Sequence, residues 1–128
     1  MNTSSKLEHV NVTVSDPKAT AGLLCELFDW HVRWEGPSQM GGHTYHVGTD
    51  DDYVAVYTCD GIPGANGKPG RTKGGLNHIG VLVDDLEKVE RRVIAAGLQP
   101  FNHMDYEPGR RFYFIDRDGI EFEIVSYA

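Results

Sequence analysis

The decapeptide LEHVNVTVSD, Leu7 to Asp16, returns sixty-nine residues later as LNHIGVLVDD, Leu76 to Asp85. Leu7/Leu76, His9/His78, Val12/Val81, Val14/Val83 and Asp16/Asp85 are identical, and Val10 stands against Ile79. Each copy alternates apolar and other residues with period two, the pattern of a strand with one buried face. Val10, Val12 and Val14 share one face, while Leu7, His9, Asn11 and Thr13 share the other. In the second copy Ile79, Val81 and Val83 form the apolar face and His78 lies opposite. A strand that occurs twice, each time with a histidine off its core face, demands one structural unit built twice. It also points to a paired binding site.

The remainder of the chain fits that demand. After the first strand, Asp16 is placed to cap a helix and Pro17 to open it. The helix is expected to run to about Phe28, with Ala21, Leu24 and Phe28 on its buried stripe and Gly22 a mild weakness. Residues 31–34, 43–48 and 53–58 read as strands, with a loop over 36–42 and an acidic turn at Asp50, Asp51 and Asp52. Asp60 to Gly75 holds six glycines and two prolines in sixteen residues and reads as a linker. The pattern then restarts. A strand over 76–83 is followed by Asp84 or Asp85 as cap, then a helix with Leu86, Val89, Val93 and Ala96 inward and Gly97 as its stop. A short strand is expected over 98–103, a polar loop over 104–110, and a hairpin of 111–115 and 120–126 across Asp116 to Gly119. The expectation is an α+β fold: two βαβββ modules in tandem, residues 6–59 and 76–127, in one domain over 1–128, their curved sheets forming a cupped cavity.

Composition bounds the partners. With 128 residues and a formal net charge of −7, the chain lacks the basic face that nucleic acid requires. The two cysteines, Cys25 and Cys59, form no CxxC motif, and no eighteen-residue apolar run or apolar leader occurs. A cytoplasmic protein without a membrane or nucleic-acid partner is expected.

In the last strand Ile120, Phe122 and Ile124 alternate with Glu121, Glu123 and Val125, so Glu123 is expected on the same side as His9 and His78. Two imidazoles and a carboxylate on one face of a divalent ion make a facial triad with open positions. Those positions would take a substrate through two oxygens, the ion acting as Lewis acid.

LEHVNVTVSD, LNHIGVLVDD and FYFIDRDGIEFEIV resemble the vicinal oxygen chelate superfamily, which includes glyoxalase I, bleomycin-binding proteins, fosfomycin-resistance transferases and extradiol dioxygenases. The resemblance covers nearly the whole chain. It implies His9, His78 and Glu123 as ligands of one divalent metal (Fe, Mn, Ni, Co or Zn), a small-molecule substrate and a homodimer that sometimes shares ligands between copies. It implies a glyoxalase- or dioxygenase-type, lyase- or isomerase-like enzyme. A metal-free antibiotic-binding protein and an Fe(II) ring-cleavage dioxygenase are the alternatives. The fourth ligand of glyoxalase I, a glutamate, falls here on Ala55, or on Val56 with a one-residue slip. Asn11 stands where fosfomycin-type transferases carry a threonine.

Other residues divide between two readings. His46 and Tyr57 are candidates for acid–base work beside the ion, or are satisfied by local hydrogen bonds. Arg110 and Arg111 are placed to grip an anionic substrate, or to pair with Asp105, Glu107 or Asp116. Asn11 and Ala55 complete the expected pocket lining. Trp30 and Trp34 are expected in a core or dimer contact, and His31, His43 and His103 on the surface.

Overall fold

The computed structural model of the chain describes residues 4–62, 70–106 and 109–128. It divides into two compact units, Met1–Ile62 and Pro63–Ala128. The first unit contains strand β1 (His9–Thr13), helix α1 (Pro17–Phe28) and strands β2 (His31–Pro37), β3 (His43–Gly48) and β4 (Tyr53–Tyr57). The second contains β5 (Ile79–Leu82), α2 (Leu86–Ala95), β6 (Phe101–Tyr106), β7 (Gly109–Ile115) and β8 (Glu121–Ser126). Each unit forms a four-stranded sheet, in the orders β1-β4-β3-β2 and β5-β8-β7-β6. The first and last strands of each unit are parallel neighbours and the rest pair antiparallel. Two βαβββ modules of identical topology are therefore present, as the duplication requires.

The repeated aspartates do identical work. Asp16 accepts a hydrogen bond from the Ala19 amide at 3.2 Å and Asp85 accepts one from the Lys88 amide at 3.1 Å. Each thereby satisfies an amide of the first helical turn that has no partner within the helix. Of the two candidate caps in the second module, Asp85 is the one used. Gly97 follows α2 with φ +85°, the left-handed geometry that stops a helix.

Alternation along the strands sorts the side chains into two layers. Val47, Val54 and Val56 are buried with Ala21, Leu24 and Leu27 of α1. Phe112, Phe114, Phe122 and Ile124 are buried with Leu86, Val89 and Val93 of α2. Phe114 and Phe122 stack at 5.0 Å between ring centroids. On α1 it is Leu27, fully buried, that completes the inward stripe, while Phe28 is half-buried and tilts against Trp30. Both lie within one turn of Leu24, and their order in the stripe is settled by which one meets the sheet.

Several boundaries differ from the sequence expectation, among them β5, which spans 79–82 rather than 76–83. Strand β2 runs to Pro37, paired with His43, which shortens the loop to residues 38–42. Strand β6 spans 101–106 rather than 98–103, and β7 begins at Gly109, so most of the expected loop over 104–110 is ladder. In that ladder Met104 pairs with Arg111, Asp105 with Arg110 and Tyr106 with Gly109. Cross-strand hydrogen bonds, which are indifferent to side-chain polarity, extend an edge strand through a polar stretch. Both edge strands also carry a register shift, between Val32 and Trp34 in β2 and between Phe101 and Met104 in β6. Each inserts one extra residue, a β-bulge in the edge strand of each module, before the Trp34–His46 pair in the first and after the equivalent Phe101–Tyr113 pair in the second. Asn102, at φ 59°, lies within the second.

Candidate functional site

The face of each sheet turned away from its helix carries the chemistry-bearing residues. In the second unit, His78 Nε2 lies 2.9 Å from Glu123 Oε1. Arg111 donates from Nη1 to Glu123 Oε2 at 2.8 Å, and each of those two side chains is only 13% exposed. The Tyr106 ring lies 4.8 Å below the Arg111 guanidinium, and Tyr113 meets the His78 ring edge-on at 6.0 Å. Burial, then the Glu123 charge, pushes the Tyr113 phenol above its usual range. Arg111 Nε is buried and has no hydrogen-bond partner among the described residues.

The His78 ring is flanked by oxygens. Its Nδ1 lies 2.8 Å from Asn77 Oδ1 and its Nε2 2.9 Å from Glu123 Oε1. A neutral imidazole has a single N–H to offer. Two oxygen acceptors therefore call for a second proton, or for a cation in place of one proton. Metal-ligating histidines characteristically turn their other nitrogen to such an oxygen. His78 and Glu123 are thus two donors of the kind that divalent ions take, while no group of three or more His, Cys, Asp or Glu side chains is gathered for an ion among the described residues.

In the first unit, His9 opens β1 and its Nδ1 lies 2.7 Å from Glu8 Oε1. That hydrogen bond is the main reason the Glu8 carboxyl sits below its ordinary range. Tyr53, paired with His9 across β1 and β4, stacks on the imidazole at 4.9 Å and 10°. His46 stacks with Tyr53 at 4.5 Å and leans on Trp34 at 4.8 Å, and the Arg33 guanidinium lies 4.5 Å from the Tyr53 ring centroid. Burial, followed by the charges of His9 and Arg33, holds His46 below the usual imidazole range. Trp34 is 49% exposed, its ring folded over Gly36, where a Cβ would come within 2.5 Å of it.

Strand register aligns the two modules residue by residue. Asn11 pairs with Ala55, and Gly80 pairs with Glu123. Ala55 is therefore the counterpart of Glu123, and His46 of Tyr113, since those residues pair with Ala55 and Glu123 in turn. Ala55, not Val56, stands at the vacant carboxylate position, and it is buried. The carboxylate occurs in one module only.

Of the residues singled out in the sequence, His78, Glu123 and Arg111 are brought together in the second unit. His9, Asn11, His46 and Ala55 share one sheet face in the first. Tyr57 lies one register step further, its hydroxyl donating to the Gln39 carbonyl at 3.3 Å. A hydrogen bond with Cys59 is the main cause of its raised phenol pKa. Arg110 points to the helix side, where it pairs with both carboxylate oxygens of Glu87 on α2. It borders a cleft of about 250 Å³ with Glu90, His103 and Asp105, where His103 Nε2 lies 3.0 Å from Glu90 Oε2. His31 and His43 pair with Asp50 and Glu35 at 3.3 and 3.1 Å.

Sequence reasoning missed Glu8, Asn77, Tyr53 and the Arg111–Glu123 pair. A signal for the first two was present, because each histidine of the repeat is preceded by a side chain that carries an acceptor oxygen. The Arg111 pairing is diagonal across β7 and β8, with Tyr113 directly opposite Glu123, and needs the register to be seen.

The model of the Glyoxalase/Bleomycin resistance protein/Dioxygenase superfamily matches residues 6–124. No curated protein matches. Among solved structures, the chain resembles a glyoxylase/bleomycin resistance protein/dioxygenase domain from Frankia sp. EAN1pec. The identity is 23%, covering 97% of this chain and 98% of that one, with a TM-score of 0.81. It also resembles the fosfomycin resistance protein FosX from Listeria monocytogenes, solved with Mn(II) and sulfate: 16% identity, 97% and 93% covered, TM-score 0.73. FosX from Mesorhizobium loti matches at 22% identity over 97% and 93% of the chains, TM-score 0.69. At these identities the structural likeness speaks for the fold. No described helix is long and apolar enough to cross a membrane. Its sequence match over residues 6–124, its duplicated βαβββ topology and these neighbours agree: the chain belongs to the glyoxalase/bleomycin resistance protein/dioxygenase superfamily.

Proposed function

We propose that the protein is a divalent-metal-dependent enzyme of glyoxalase or dioxygenase type, with His9, His78 and Glu123 as metal ligands. The reading is carried by the His78 ring, whose two nitrogens face Asn77 Oδ1 at 2.8 Å and Glu123 Oε1 at 2.9 Å. A cation between Nε2 and the carboxylate resolves that contact. When bound, the ion supplies Lewis-acid polarisation to a small substrate that chelates through two neighbouring oxygens. His46, held toward its neutral form, accepts or returns a substrate proton at an imidazole nitrogen. Asn11 lines the pocket on the face that carries His9. The fold likeness to FosX with Mn(II) makes that ion the first to try, ahead of Fe, Ni, Co and Zn.

A second reading, a metal-free small-molecule-binding protein, draws on the Arg111–Glu123 pair, which already neutralises the carboxylate. Elemental analysis of untagged protein after exposure to Mn(II), and then to each other ion, separates the two. About one ion per chain is expected, lost in Glu123→Ala. Oxygen uptake with catechols would then mark the Fe(II) ring-cleavage variant. Absence of every ion from the wild type would overturn the metal reading.

A further inference from the structure

We infer that Glu8 is a positioning residue for His9: it holds the imidazole proton on Nδ1 and so leaves Nε2 as the electron-pair donor. Its purpose rests on the metal reading above; its geometry does not. An ionised carboxylate has no hydrogen to give, so the 2.7 Å contact between Glu8 Oε1 and His9 Nδ1 requires the proton to sit on Nδ1. The tautomer of a neutral imidazole follows from the hydrogen bond that one of its nitrogens makes.

Two further observations support the assignment. Tyr53 braces both partners at once. Its hydroxyl donates to Glu8 Oε1 at 3.4 Å, while its ring stacks on the imidazole at 10° and so sets the ring plane. The arrangement is also duplicated, because Asn77, the counterpart of Glu8 in the repeat, places its Oδ1 2.8 Å from His78 Nδ1. The residue before the histidine differs between the copies, yet both copies supply an oxygen at the same ring nitrogen.

The test is read first in metal-free protein, from the imidazole ¹⁵N shifts at a pH where the rings are neutral, with His9 assigned by its loss in His9→Gln. The wild type is expected to show His9 protonated on Nδ1. In Glu8→Ala the proton moves predominantly to Nε2. In Glu8→Gln, whose amide oxygen still accepts, it stays on Nδ1. Mn(II) affinity, by competition with a chelator, should fall about tenfold in Glu8→Ala, the lower end for such partners because the pair is exposed, and recover in Glu8→Gln. An Nε2-protonated His9 in the wild type, or an unchanged tautomer in Glu8→Ala, would overturn the inference. Tautomers that behave as stated in a wild type that binds no ion would uphold the role of Glu8 and remove the metal reading alone.

Discussion

Two little-exposed acidic side chains, Glu123 and Asp116, meet their partners in opposite ways. Glu123 is neutralised by Arg111, and neither side chain is much exposed. Truncating Arg111 leaves a shielded carboxylate with His78 as its remaining ionic partner. Arg111→Ala should lower the denaturant midpoint of unfolding, because the Glu123 carboxylate loses its cation, and Arg111→Lys should recover part of the loss. Asp116 is held instead by backbone amides. It accepts from the Asp118 and Ile120 amides at 2.9 Å each and closes the turn between β7 and β8. Burial raises its pKa against the lowering effect of those two amides. A raised folded pKa means that the native state binds the proton more readily than the unfolded chain. The contribution of Asp116 to stability is thus fully present below its unfolded pKa of about 3.9 and is lost as pH rises through the higher folded value. Asp116→Asn keeps the acceptor oxygen and should flatten that part of the stability–pH curve. Asp116→Ala should cost about 1–3 kcal/mol through two orphaned amides. Equal pH curves for wild type and Asp116→Asn would refute the assignment.

At the level of elements, the duplicated helix starts offer a paired experiment. Asp16 and Asp85 cap α1 and α2 at 3.2 and 3.1 Å. Each Asp→Ala change should cost about 1 kcal/mol, with thermal unfolding as the readout. Because the two caps lie in separate units, the double variant should show the sum of the single effects. Caps, helix stops and apolar periodicity are local properties, and these the sequence displays openly. The edge strands were less legible. Nothing in MDYEPGRR suggests a ladder, since an edge strand in this position is held by backbone pairing with β7 and carries its polar residues outward. The two bulges escaped notice for a related reason: a bulge is a property of two strands in register, and a single strand does not reveal it.

For the molecule as a whole, a decapeptide written twice was enough to imply two βαβββ modules, because period-two strands and capped helices in the same order can bury their apolar faces in the same way only. The same repeat marked His9 and His78, and alternation along β8 marked Glu123. Tertiary structure decided which of these groups touch. It seated Glu123 against His78 and gave it Arg111 as a second partner, turned Arg110 to the opposite face toward Glu87, and aligned Ala55 with Glu123. The division has a physical cause. Which face a residue occupies follows from the local period of the backbone, and one sequence encodes it; which atoms meet across strands follows from register, and register exists only once the strands have paired.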